Sequence, residues 1–428
     1  MGRVTSWTAP HSEGPVTASV RLPGSKSMTA RALVLSALAD GPSRIVRPLR
    51  ANDTTNMAAS LTALGSAVDT GDDEVWTVRP GPLRGPATID VGQAGTVMRF
   101  GSPLAALAEG TVVVDGDPQA RRRPLRPIVD TLRALGVDLD ASAAGGLPLT
   151  IRGTGLVEGG EAVIDASGSS QFVSGLLLSA PRFTKGLRLR HEGPPVPSAP
   201  HLRMTTHMLR AAGAVVDESV SDVWVVEPGP LHGHEWVIEP DLSGAAPFFA
   251  AALVTGGTVT VAGWPAESWQ PVGRLTELVG MIGGSVTLDG RGLTVRGSGG
   301  GELHGFDADL SEVGELTPVL ATLAALADGP SRLRGVAHIR THETDRVAAL
   351  ATELSKAGAG VVEHPDGLDI TPAPLRPVTF ATYDDHRMAH AAAVLGLAVE
   401  GITLDDVSCT AKTLPEFPEL WTNLARAK

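Results

Sequence analysis

The chain has 428 residues, 43% hydrophobic and 19% charged, with a formal net charge of −12. These proportions fit a globular protein, and no apolar run approaches the roughly 18 residues of a membrane span. The acidic balance argues against generic nucleic-acid binding, which needs a basic surface.

In chain order, an Ala/Leu-rich helical segment follows Lys26 and closes at Gly41. The pattern recurs with closing glycines at Gly110, Gly186, Gly257, Gly329 and Gly401, 69 to 76 residues apart. Self-similarity at a fixed period outranks the length-based expectation of about three domains. A second, amphipathic helix closing on glycine is predicted within 61–65, 132–136, 208–213, 278–284 and 350–358. The unit reads strand, helix, strand, helix, short strands, and the sixth copy is truncated, with its last helix at 420–427. One such unit buries little core by itself, so the six are expected to form two globules of three. The spacing does not say which copies group together. The single Cys409 excludes an intramolecular disulfide and fits a reducing cytoplasm. The N-terminus lacks a secretory signal pattern, although Met1-Gly2 with Ser6 formally matches a myristoylation motif.

The polar residues concentrate at the starts of the six Ala/Leu-rich helices: PGSKSMTAR (23–31), GQAGTVMR (92–99), SGSSQFVS (167–174), DLSGAAPFF (241–249), EVGELTP (312–318) and DDHRMAH (384–390). Helix starts carry unpaired N–H groups and a partial positive charge, which suits anions. Only five lysines exist, and two of them, Lys26 and Lys412, fall inside polar motifs flanked by Ser or Thr. The Lys26 segment is not a P-loop, because Ser25 separates Gly24 from the lysine. His338 and His342 are spaced as zinc ligands could be, but no third ligand follows at a familiar distance, so no metal is expected. Glu343 and Arg346, three apart, read as a carboxylate held beside a guanidinium, an arrangement able to move a proton. Any one of these segments alone reads equally well as a capped helix or a solvated charge run. Together, at matched repeat positions, they point to a highly anionic small molecule.

PGSKSMTAR at 23–31, AGTVMR at 94–99, RP at 123–124, SSQF at 169–172, HETDR at 342–346, DDHRM at 384–388 and CTAKT at 409–413 resemble the enolpyruvyl transferase superfamily in its order. Within it they resemble the branch that acts on shikimate-3-phosphate. The resemblance implies an α/β fold of two domains, each of three βαβαββ repeats, with crossovers near residues 22 and 239. One domain would be 1–21 plus 239–428 and the other 22–238. It also implies transfer of the enolpyruvyl group of phosphoenolpyruvate to the 5-hydroxyl through a tetrahedral intermediate, with loss of phosphate and no cofactor or metal. Such an enzyme is expected to be a cytoplasmic monomer with small-molecule substrates and neither nucleic acid nor membrane as partner.

By the same resemblance, Lys26, Ser27, Arg31, Ser169, Ser170, Gln171, Ser198, Glu315 and His342 would contact shikimate-3-phosphate. Lys26, Gly95, Thr96, Arg123, Gln171, Arg346, Arg387 and Lys412 would form the phosphoenolpyruvate site. The catalytic set would be Lys26, Glu315, Glu343, His386 and Lys412, with Glu315 and Lys26 handling the hydroxyl proton and Glu343 the methylene proton. The implied picture is a binding half and a proton-handling half facing each other across a cleft. Several positions depart from the family's usual residues: Glu315 for Asp, His342 for Lys, His338 for Asn, His201 for Tyr, Gln93 for Asn and Phe100 for Pro. Gly95 implies room for glyphosate, a phosphoenolpyruvate mimic. The sister enzyme acting on UDP-N-acetylglucosamine usually has a loop Cys, and here 115–123 offers Asp115 and Asp117 but no Cys. A non-catalytic binder should have lost Lys26, Glu343 or Lys412, and all three are present. RNA 3′-phosphate cyclase, which has related repeats, fits poorly with the negative charge.

Overall fold

The computed structural model describes residues 6–427; the Met1-Gly2 motif lies outside them. The chain forms two compact units, a first of Met1–Pro23 with Glu239–Lys428 and a second of Gly24–Ile238. The second unit carries α1 (Lys26–Leu38), α2 (Asn52–Ala63), α3 (Gly95–Ala106), α4 (Pro118–Arg122), α5 (Arg126–Ala134), α6 (Ser170–Ser179) and α7 (Ala199–Ala211). The first carries α8 (Leu242–Thr255), α9 (Val272–Ile282), α10 (Thr317–Ala325), α11 (Arg346–Ala357), α12 (His386–Ala398) and α13 (Phe417–Ala425).

The helices fall into two kinds, and composition decides which. In the second unit α1, α3 and α6 pack against one another; in the first, α8, α10 and α12 do the same. These six are apolar on every face, and nearly all their residues are buried. A helix of that composition is stable only in an interior. The remaining longer helices are amphipathic and bury one stripe. The predicted closing glycines Gly65, Gly136, Gly213 and Gly358 adopt positive φ, as helix ends require, whereas α9 closes on Gly283 (φ 101°), one residue before the predicted Gly284. The last helix begins at Phe417 rather than near 420, because Pro418 fits the first turn, where its missing N–H costs nothing.

Five four-stranded sheets and one three-stranded sheet surround these cores among the described residues. In four repeats the strand before the buried helix pairs in parallel with the strand after it, as Ala87–Asp90 does with Glu109–Asp115 around α3. In the other two the partners are exchanged. Thr17–Val20 precedes α1 but pairs with Thr258–Ala262, after α8. Glu235–Val237 precedes α8 but pairs with Ser43–Val46, after α1. The first unit's sheets therefore take two strands from the N-terminal segment, Trp7–Thr8 on Thr403–Leu404 as well as Thr17–Val20, and the second unit's take one from the segment before the return crossover. The return crossover is tied down locally: Glu239 accepts from Ser268 Oγ, Trp269 N and Gln270 Nε2, while Gln270 Oε1 takes the Leu242 N–H at 2.8 Å. Among the described residues no helix is long and apolar enough to cross a membrane.

Candidate active site

The second unit assembles its polar groups at the N-terminal turns of α1, α3 and α6. Ser25 caps α1 by accepting the Met28 N–H, which turns Lys26 and Ser27 into the first helical residues. Lys26 Nζ lies 3.2 Å from Asp53 Oδ2, a carboxylate buried in α2. Arg31, one turn further into α1, is 1% exposed. Its guanidinium donates to Thr205 Oγ1 at 2.8 Å, Ser174 Oγ at 3.1 Å and the carbonyls of Ser27 and His201, and it stacks over Phe100. All four acceptors are neutral, and burial pulls the Arg31 pKa down to about 9. The group stays charged at neutral pH, so this end of α1 carries a buried positive charge that favours an anion.

On α6 the capping residue is Ser169, whose Oγ accepts the Gln171 N–H. Gln171 Oε1 accepts from Arg99 Nη1 at 2.8 Å, and that guanidinium lies over the Phe172 ring. Ser170 is buried beside them. Arg123 donates from Nη1 to the Gln93 carbonyl at 3.1 Å, which brings its head against Gly95. A Cβ at Gly95 would stand 2.8 Å from Arg123 Nη2 and 3.0 Å from its Cζ, so the absent side chain makes room for this guanidinium. Thr96 is buried in the same turn. Ser198 caps α7 in the left-handed region, φ 56°, a conformation that costs a non-glycine residue about 1–3 kcal/mol.

In the first unit the charged groups converge on Arg346, the first residue of α11, which is fully buried. Its Nη1 donates to Glu315 Oε2 at 2.8 Å, its Nη2 to Glu343 Oε2 at 2.9 Å, and its Nε to Asp385 Oδ2 at 2.8 Å. Burial disfavours its charge, but Asp385, Glu315 and Glu343 more than offset that and hold its pKa well above the usual arginine value. Glu343 is shared: its other oxygen accepts from Lys412 Nζ at 2.7 Å, and both side chains are under a tenth exposed. Glu315, in the short turn before α10, has Arg387 Nε at 3.5 Å. Burial raises its pKa, yet the Arg346 and Arg387 guanidiniums outweigh the penalty and keep the carboxylate well below its ordinary value.

His342 is pushed down to about 3, chiefly by burial and by the neighbouring Arg346. At neutral pH it is therefore an uncharged imidazole whose Nδ1 faces Arg346 Nη1 at 3.0 Å and accepts from it. The 3.4 Å approach of the same nitrogen to Glu315 is then not an ion pair. His338 packs edge-on against His342 and is shifted down by burial too. Arg387, on the first turn of α12, donates to the Ser243 carbonyl of α8 at 2.6 Å. His386 is buried next to it, 3.8 Å from Asp385, beyond hydrogen-bonding reach of that carboxylate.

Of the sequence-derived site residues, Lys26, Ser27, Arg31, Gly95, Thr96, Arg123, Ser169, Ser170, Gln171 and Ser198 thus lie in the second unit. Glu315, His342, Glu343, Arg346, His386, Arg387 and Lys412 lie in the first. Glu315, His342, Glu343, Arg346, Arg387 and Lys412 form one connected network. Asp385, Asp53 and Arg99 were not singled out individually, although each contacts a residue that was. Asp385 carried a signal: an Asp directly before a helix is a cap, and its Oδ1 accepts the Arg387 N–H. Asp53 carried none, since only the packing of α2 on α1 brings it to Lys26. Among the described residues no group of three or more His, Cys, Asp or Glu could hold a metal ion.

The model of the EPSP synthase (3-phosphoshikimate 1-carboxyvinyltransferase) family matches residues 10–421. A 3-phosphoshikimate 1-carboxyvinyltransferase of Mycobacterium ulcerans (strain Agy99) is 50% identical over 433 residues, covering 99% of each chain. Two solved structures of EPSP synthase from Acinetobacter baumannii superpose with TM-scores of 0.82 and 0.80, each at 23% identity and over 98% of both chains, a likeness of fold. The chain belongs to the EPSP synthase (3-phosphoshikimate 1-carboxyvinyltransferase) family.

Proposed function

We propose that this chain transfers the enolpyruvyl group of phosphoenolpyruvate to the 5-hydroxyl of shikimate-3-phosphate and releases inorganic phosphate. The observation that carries the reading is the network around Arg346, in which one buried guanidinium orients Glu315 and Glu343, and Lys412 shares Glu343. The Glu315 carboxylate, held ionised beside oriented cations, suits removal of a proton from a hydroxyl, and Glu343, hydrogen-bonded to the Lys412 ammonium, is placed to relay a proton to carbon. In this reading Glu315 and Lys26 handle the hydroxyl proton. Glu343 delivers a proton to the methylene carbon, with Lys412 and His386 beside the reacting atoms. Arg346, Arg387 and Lys412 in the first unit, with Lys26, Gly95, Thr96, Arg123 and Gln171 in the second, receive phosphoenolpyruvate. Ser27, Arg31, Ser169, Ser170, Gln171 and Ser198, with Lys26, Glu315 and the neutral His342, receive shikimate-3-phosphate. The enzyme would act in the cytoplasm as a monomer, without cofactor, in aromatic amino-acid biosynthesis.

The deciding measurement is phosphate release from phosphoenolpyruvate with shikimate-3-phosphate, and in parallel with UDP-N-acetylglucosamine. Release is expected with the first acceptor alone, and silence with it overturns the reading. The crowding at Gly95 adds a sharper expectation. In Gly95→Ala the new methyl must push the Arg123 head away. Losing one charge-assisted contact should raise KM for phosphoenolpyruvate roughly 10-fold or more, with KM for shikimate-3-phosphate little changed. Glyphosate should inhibit the unaltered enzyme and act more weakly on the variant. An unchanged KM in Gly95→Ala removes Arg123 from the phosphoenolpyruvate site.

A further inference from the structure

The turn that leads into α12 is strained and anchored by residues outside the site described above. Tyr383 and Asp384 both have φ 55°, two consecutive non-glycine residues in the left-handed region. Such a pair persists only where its surroundings over-determine it. The next three residues are Asp385, which holds Arg346, then His386 and Arg387. Tyr383 is the chain's only tyrosine. Its hydroxyl donates to Glu353 Oε1 at 2.8 Å. Glu353 is 1% exposed, and its other oxygen accepts the Ala381 N–H at 3.0 Å and Lys356 Nζ at 2.7 Å. On the other side of the turn Asp405 Oδ1 accepts both the N–H and the hydroxyl of Thr382 at 2.8 Å.

Glu353 and Arg346 are seven residues apart on α11, two helical turns, so they lie on one face. That face therefore grips the α12 entry at two rungs: Arg346 on Asp385, and Glu353 on Tyr383 and Ala381. We propose that the Tyr383–Glu353 pair is a positioning device that holds the strained turn so that Asp385, His386 and Arg387 are presented in working geometry. It touches no substrate. A carboxylate as buried as Glu353, spent on a turn rather than on a stabilising core contact, has a reason if that turn must not relax. Without the anchor, Tyr383 and Asp384 are free to return to ordinary backbone angles, and the first turn of α12 moves with them.

The proposal rests on the functional reading above only for its kinetic arm, so the test has two arms on the full-length enzyme. Hydrogen exchange without substrate follows the amides of Ala381, Thr382 and Arg387 in wild type, Tyr383→Phe and Glu353→Gln. Each variant should exchange roughly 10-fold faster at these amides, with the rest of the chain unchanged. In the kinetic arm, kcat/KM for phosphoenolpyruvate should fall roughly 10-fold in Tyr383→Phe while KM for shikimate-3-phosphate stays within about twofold. Adding Tyr383→Phe to Glu353→Gln should cost little more than either change alone. Unchanged exchange at the three amides overturns the proposal, as does a Tyr383→Phe loss of the same size in the Glu353→Gln background. Faster exchange in an enzyme whose wild type releases no phosphate overturns the functional reading and leaves the anchor standing.

Discussion

Glu343→Gln is expected to cut kcat about 10²- to 10⁴-fold, the usual worth of a positioned proton-transfer group. The substitution keeps the side chain's size but leaves one acceptor oxygen for two donors, so the amide nitrogen faces either Arg346 or Lys412. It removes the charge and the basicity of the one carboxylate those two cations share. One buried cation then loses its acceptor, so a modest loss of thermal stability is expected, while KM for shikimate-3-phosphate should stay near its wild-type value. A second readout separates proton transfer from general damage. In heavy water the wild type should place deuterium on the methylene carbon, and the variant should lose that incorporation in step with turnover. Lys26→Ala should abolish turnover as well, since it removes the ammonium that Asp53 holds at 3.2 Å at the head of α1. Near-normal kcat in either variant strikes that residue from the mechanism.

Arg346→Met should destabilise the protein more than any other single change at the site. The guanidinium is surrounded by Glu315, Glu343 and Asp385, and its removal leaves buried carboxylates facing one another. Breaking a buried ion pair from one side costs about 3–5 kcal/mol. In a unit of this size that corresponds to a fall in melting temperature of about 6–20 °C. Turnover should fall with it, because Glu315 and Glu343 lose the donor that fixes their orientation. Arg346→Lys, which retains charge but offers a single head instead of a planar fork, should recover much of the stability and little of the activity. A melting temperature for Arg346→Met within about 2 °C of wild type, less than 1 kcal/mol for such a unit, would show that the carboxylates are compensated elsewhere.

The sequence was most legible where a residue's role depends on its neighbours along one helix. Ser25, Ser169, Asp241, Asp345 and Asp385 accept N–H groups of the turns they precede, and each is a recognisable capping type before an apolar run. Glu343 beside Arg346 was readable from a three-residue spacing and is found at 2.9 Å. The glycines Gly65, Gly136, Gly213 and Gly358 that close outer helices were readable for the same local reason, while at α9 the closing residue is Gly283 and not Gly284. Arg31 shows where this stops. The spacing placed Arg31 on the face of Ser27, but its guanidinium is spent on Thr205, Ser174 and the His201 carbonyl, from helices well over a hundred residues away. The environment that leaves His342 uncharged is only half visible in HETDR: the motif contains Arg346, but the burial that contributes most arises from packing.

By itself the sequence determined the α/β class, the six-fold repetition, the two kinds of helix and the order of the family's motifs. All of these follow from composition and short-range periodicity, which a linear string records directly. The tertiary structure alone decided that Thr17–Val20 pairs with Thr258–Ala262, and Glu235–Val237 with Ser43–Val46, rather than across their own helices. It also decided that Glu315, Glu343 and Asp385 meet on a single arginine, and that Glu353 reaches Tyr383. A strand's sequence states that it will pair, through its backbone, but not with which partner, and a buried charge finds its counter-charge only after the helices have packed.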